Sequence, residues 1–171
     1  MRYSGALYRL DGGSKLSAVL PGMGVPNGLD WSPDGRWFYH TDSMRRTIWR
    51  YAFHGATGEV GERSLFAEVT GGGGNPDGLT VDSEGFVWSA HWDGWRITRY
   101  DPDGMIDRVI QMPVPRPTSL CFGGYDLTTL YVTTATHGLT AAELDRAPLS
   151  GSLLALNVGV SGLPTRPARL S

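Results

Sequence analysis

At 171 residues, 40% of them hydrophobic and 19% charged, the chain has the size and mix of one globular domain with a buried core. Its formal net charge of −2 gives no bulk attraction to nucleic acid or to an anionic membrane. No apolar run approaches the roughly 20 residues that a membrane-spanning helix needs.

The opening stretch, MRYSGALYRLDGG, lacks the apolar centre of a signal peptide and runs straight into an alternating strand pattern. A single cysteine, Cys121, permits no internal disulfide, so the expected compartment is cytoplasmic. Cys121 lies in the apolar run SLCF and is expected to be a small core residue. The 24 glycines and 11 prolines, with six Trp and seven Tyr, favour many short strands joined by tight turns.

Further along, the chain repeats itself. PNGLDWSPDGRWFYHTDS aligns without a gap on PDGLTVDSEGFVWSAHWD, so that Pro26 meets Pro76, Gly28 meets Gly78, Leu29 meets Leu79 and Gly35 meets Gly85. A weaker third copy, RPTSLCFGGYDLTTLYVTTATHG, sets Pro117 on Pro76. A spacing of roughly 40 to 50 residues is that of a repeat architecture. The second copy reads as strands over 78–82, 85–91, 95–100 and 105–111, with SEG, DG and DPDG as turns. Apolar residues do not alternate cleanly there, as expected of strands buried on both faces. Residues 139–149 fit one or two helical turns in a loop. Four-stranded units at this period define an all-β fold, a β-propeller, with about fourteen strands or three and a half blades in a single partial domain over 1–171.

In such a fold, Asn27 and Asp77 sit at equivalent positions just before the innermost strands of their blades and converge on one end of the central channel. The loops at 40–43, 91–94 and 134–138 are expected to form the rim there. Two oxygen-bearing side chains inside a ring of His, Asp and Trp suit a hard cation beneath a polar pocket. Asn-Gly and Asp-Gly are also common hairpin dipeptides, so plain turn chemistry is the competing reading. Asp34, Asp82, Asp101 and Asp103 are expected to form turns, and Trp37, Trp49 and Trp88 to be core. GGGG at 71–74 precedes no helix and carries no Lys-Ser/Thr, so it is not a phosphate loop.

Taken together, the three blocks resemble the SMP-30/gluconolactonase/LRE-like family, from about Gly5 to Gly162. The resemblance implies a six-bladed propeller, of which this chain matches the C-terminal part. It also implies one axial divalent metal, with calcium first and zinc, magnesium or manganese as alternatives, and hydrolysis of sugar lactones. Carried over by motif, Asn27 is a neutral metal ligand, and Asp77 is both metal ligand and general base. His91 and Trp92 are contacts to the hydroxyls of a small-molecule sugar lactone. The family's early glutamate ligand and its substrate-holding arginine and asparagine have no counterpart here. Two alternatives stand beside this reading. One is a non-catalytic partial propeller that pairs with itself or another chain through open strand edges. The other is a different hydrolase, acting on a phosphotriester or another lactone.

Overall fold

A computed structural model describes residues 3–11 and 15–165. The described residues form four antiparallel sheets and one short helix. A hairpin, β1 (Gly5–Asp11) and β2 (Lys15–Met23), comes first. Blade one follows as β3 (Pro26–Trp31), β4 (Trp37–Asp42), β5 (Thr47–His54) and β6 (Glu59–Glu68), paired in chain order. Blade two repeats this with β7 (Asn75–Val81), β8 (Val87–Trp92), β9 (Arg96–Tyr100) and β10 (Ile106–Gln111). Blade three has β11 (Pro117–Gly123), β12 (Thr129–Thr134) and β13 (Leu153–Asn157), with α1 (Ala141–Arg146) inserted before β13. Thr140 and Glu143 close a reciprocal capping box at the start of α1.

Blade two is the packing centre. One of its faces meets blade one, where Leu79, Val81, Val87 and Tyr100 interlock with Tyr39, Ile48 and Phe66. Its other face meets blade three, where Trp88, Ala90 and Ile97 pack on Leu120, Leu130 and Val132. Burial on both faces is why the apolar residues of blade two do not alternate. Leu29 shows what one missing neighbour does. It matches Leu79 in the repeat, yet it is 40% exposed where Leu79 is 5% exposed.

Cys121 departs from the core position expected of it. Leu120 points into the core between blades two and three, so the next side chain along β11 points away and is exposed. Of the three tryptophans expected to be core, only Trp88 is fully buried; Trp37 and Trp49 are half-buried under the guanidinium groups of Arg50 and Arg63.

The innermost strands β3, β7 and β11 lie side by side and approach so closely that glycine is required twice. A Cβ on Gly28 would stand 2.6 Å from the Gly78 carbonyl carbon and 2.7 Å from the Asp77 carbonyl oxygen. A Cβ on Gly78 would stand 2.6 Å from Ser119 Cα. The prolines that open the three repeats sit on these strands at no cost in hydrogen bonding, because one edge of each has no ladder partner.

Two fully buried histidines make the fold acid-sensitive. Among the described residues, His40 has no hydrogen-bond partner at either ring nitrogen, and His91 has none at Nε2. Burial pushes both down to about 4 from an ordinary value near 6.5. The folded state therefore binds fewer protons than the unfolded chain between pH 6.5 and 4, and stability is lost as pH drops through that window. Asp77, raised to about 6, works in the opposite direction between pH 6 and 4, but it is one group against two. In protein freed of cations by chelation, urea unfolding at pH 5 and pH 7 is expected to show a net loss of roughly 2 to 3 kcal/mol at the lower pH. His40→Phe is expected to remove about half of the histidine contribution.

Candidate functional site

Asn27 and Asp77 come together because their strands do. Each follows the opening proline of its repeat, and each lies where its inner strand takes a one-residue bulge against the next strand. Bulges re-aim the side chains they carry. The turn before Asn27 is clamped by the buried Asp42, whose carboxylate accepts N–H bonds from Gly24 at 2.9 Å and Val25 at 3.1 Å. Asn27 Nδ2 donates to Ser43 Oγ at 3.2 Å, and among the described residues Oδ1 makes no hydrogen bond, so it can accept or ligate.

Asp77 is half-buried, and among the described residues no Lys, Arg or His makes an ion pair with it. Burial raises its carboxyl to about 6, and the neighbouring Asn27 amide only partly offsets the rise. At neutral pH it is an ionised carboxylate in a desolvated seat, with no counter-charge among the described residues. That seat fits a cation. Among the described residues, no cluster of three His, Cys, Asp or Glu side chains converges. Any cation held by Asn27 and Asp77 would therefore take its further oxygens from other donors or from water.

The rim loops gather at this end as expected. Arg116, just before β11, ties two of them together: its Nε donates to Asp93 Oδ1 at 2.6 Å and its Nη1 to the carbonyl of His137. Its guanidinium also lies over the Trp92 ring at 4.7 Å, leaving Trp92 half-buried. Arg116 was not singled out in the sequence, although it directly precedes the third repeat's proline.

His91 sits differently from the rim contact expected of it. It is fully buried, and its Nδ1 donates to the Gly73 carbonyl at 2.8 Å. The reason is topological. His91 pairs with Arg96 on the face of blade two turned toward blade one, beneath the glycine loop that links the two blades. Arg46 holds the same loop through Gly71 O at 2.9 Å. The loop leads straight into Asn75-Pro76-Asp77, so His91 holds the approach to Asp77 and offers no surface to a sugar.

At the opposite end of blade two, Asp82 does form a turn, accepting N–H bonds from Glu84 and Phe86 at 3.0 Å. It also has a larger role. Its Oδ2 is buried and receives Arg99 Nε at 2.9 Å, Arg99 Nη2 at 2.7 Å and Trp88 Nε1 at 2.9 Å.

The fold and the site define a β-propeller protein with paired oxygen-bearing side chains on adjacent inner strands. The chain belongs to the family described as the SMP-30/Gluconolactonase/LRE-like region, which matches residues 1–136. Among its relatives, the 6-deoxy-6-sulfogluconolactonase of Pseudomonas putida is 41% identical over 162 residues, covering 94% of this chain and 55% of the relative. The pentonolactonase XacC of Haloferax volcanii is 41% identical over 164 residues, covering 94% and 56%. The crystal structure of the calcium-binding protein regucalcin from Agrobacterium tumefaciens superimposes with a TM-score of 0.93 at 29% identity, covering 99% of this chain and 58% of that one. The chain thus spans about half the length of the curated relatives it matches.

Proposed function

We propose that this chain carries the catalytic carboxylate of a metal-dependent hydrolase that opens sugar lactones. One observation carries the reading: Asn27 and Asp77, equivalent in the repeat but different in charge, meet at the mouth of the inner strands, with Asp77 desolvated and in no ion pair among the described residues. Two relatives named as sugar lactonases at 41% identity support the substrate class.

In this reading Asn27 Oδ1 and the Asp77 carboxylate would hold a divalent cation, with calcium the first candidate and zinc, magnesium and manganese the others. Held there, it would supply polarisation of a lactone carbonyl and a counter-charge for the oxygen as negative charge develops. Asp77 takes a proton from water as the water oxygen bonds to the carbonyl carbon. The ring C–O bond then breaks, and the departing alkoxide takes the proton back from Asp77. The products are the open-chain acid and a free enzyme. Trp92, steadied by Arg116, offers an aromatic face to the sugar. His91 acts through the Gly73 carbonyl by fixing the loop that presents Asp77.

The test is acid release in a pH-stat with gluconolactone, a 6-sulfonated gluconolactone and a pentonolactone, with Ca²⁺, Zn²⁺, Mg²⁺ or Mn²⁺ present and again after chelation. Cation-dependent opening of at least one lactone above its spontaneous rate is expected, and rates equal to the spontaneous ones with every cation would overturn the reading. Asn27→Ala is expected to raise the cation concentration for half-maximal rate by about tenfold, with activity regained at high cation. Failure of excess cation to restore any activity would give Asn27 a role beyond ligation.

A further inference from the structure

The bulge that aims Asn27 and Asp77 occurs a third time. In blade one, Pro26 pairs with Asp42 and the register then slips by one before Leu29 pairs with His40. In blade two, Pro76 pairs with His91 and the register slips by one before Leu79 pairs with Ser89. In blade three, Pro117 pairs with Thr134 and the register slips by one before Ser119 pairs with Thr133. The residue after each proline is Asn27, Asp77 and Thr118. Inter-strand spacing repeats as well, since Gly28 is pressed against the backbone of Gly78 and Gly78 against Ser119. Thr118 therefore stands to Asp77 as Asp77 stands to Asn27.

Thr118 is held by the neighbouring strand through its hydroxyl. Thr133 Oγ1 can donate its proton to the Ser119 carbonyl at 3.3 Å. The hydroxyls of Thr133 and Thr118 lie 2.7 Å apart, and either can donate to the other. The Thr118 oxygen carries two lone pairs in both arrangements, and Thr118 is half-buried rather than sealed off.

We infer that Thr118 Oγ1 is the third protein oxygen of the axial site, acting as a cation ligand beside Asn27 Oδ1 and the Asp77 carboxylate. This rests on the reading of Asn27 and Asp77 as cation ligands. It adds a neutral donor to a set that otherwise holds two, and it gives the bulge in blade three the same role as the other two bulges. Thr133 is a positioning residue, since its hydroxyl holds the Thr118 hydroxyl at 2.7 Å.

Isothermal titration of this chain with Mn²⁺ and with Ca²⁺ tests the assignment without any turnover. Thr118→Val keeps the shape of the side chain and removes the oxygen. It is expected to weaken cation binding by about tenfold, while Thr118→Ser stays within about twofold of the parent. Thr118→Val with parental affinity, alongside an Asp77→Ala variant that has lost binding, would overturn the role of Thr118 and leave the cation site standing. An unsubstituted chain that binds neither ion at millimolar concentration would overturn both.

Discussion

Asp77→Asn is expected to reduce lactone opening by roughly a thousandfold, the range for removing a positioned general base. The amide keeps the size of the carboxyl and removes a charge that burial disfavours, so the cation-free blade is expected to unfold at a urea concentration no lower than the parent's. The two readouts together separate a catalytic loss from a folding one. Cation affinity is expected to fall as well, because the single negative charge of the ligand pair is gone. The raised carboxyl adds a pH signature. Binding a cation requires the ionised form, and in the cation-free protein Asp77 titrates near pH 6. Affinity is therefore expected to be flat above about pH 7 and to fall by about tenfold for each unit below pH 6, with proton release on binding in that range. In Asp77→Asn the weakened binding should lose this dependence. A variant that opens lactones at near-parental rate would remove Asp77 from the chemistry.

Arg99→Ala is expected to cost about 3 to 5 kcal/mol of folding stability, the range for removing one partner of a buried ion pair. Arg99 is 4% exposed and Asp82 is not exposed at all. Besides its two bonds to Asp82, Arg99 reaches Glu84 Oε2 at 2.6 Å and Asp107 Oδ2 at 3.0 Å, and it lies over the Phe86 ring at 3.7 Å. Removing the guanidinium leaves the Asp82 carboxylate buried with Trp88 Nε1 and backbone donors alone. The shared turn at Asp82 also anchors the C-terminal segment, which bridges to it through Gly162 and Ser161. Urea unfolding measures the effect directly. Arg99→Lys is expected to lose less, since a single ammonium keeps the charge but not the forked geometry. A loss below about 1 kcal/mol for Arg99→Ala would mean that water reaches Asp82 and that the pair is in effect a surface one.

The sequence revealed the blades because each level of the pattern agrees. The prolines, turn glycines and aromatic strands recur in step, and the four strands expected in blade two lie within a few residues of β7 to β10. The main offset, at the start of β7, arises because a strand edge facing the axis tolerates Pro76 inside the strand. The convergence of Asn27 with Asp77 was legible for the same reason: equivalent positions in a radial repeat point to one place. What the repeat hides is which neighbour covers a side chain. Leu29 and Leu79 are equivalent in sequence and opposite in exposure. Cys121 sits in an apolar run yet faces outward. His91 reads as part of a polar loop, but its strand turns it under the linker between blades. The Asp82–Arg99 pair was concealed because an aspartate in a Gly-containing turn already has a sufficient local reason to be there. Thr118 was within reach, one residue past Pro117, and is overlooked because a threonine in a β-strand calls for no explanation.

The most direct test is a crystal of this chain soaked with Mn²⁺ and measured for anomalous scattering. The account predicts one strong peak at the mouth of the inner strands, in contact with Asn27 Oδ1 and the Asp77 carboxylate. Absence of any peak there, with Mn²⁺ bound elsewhere or not at all, would contradict it.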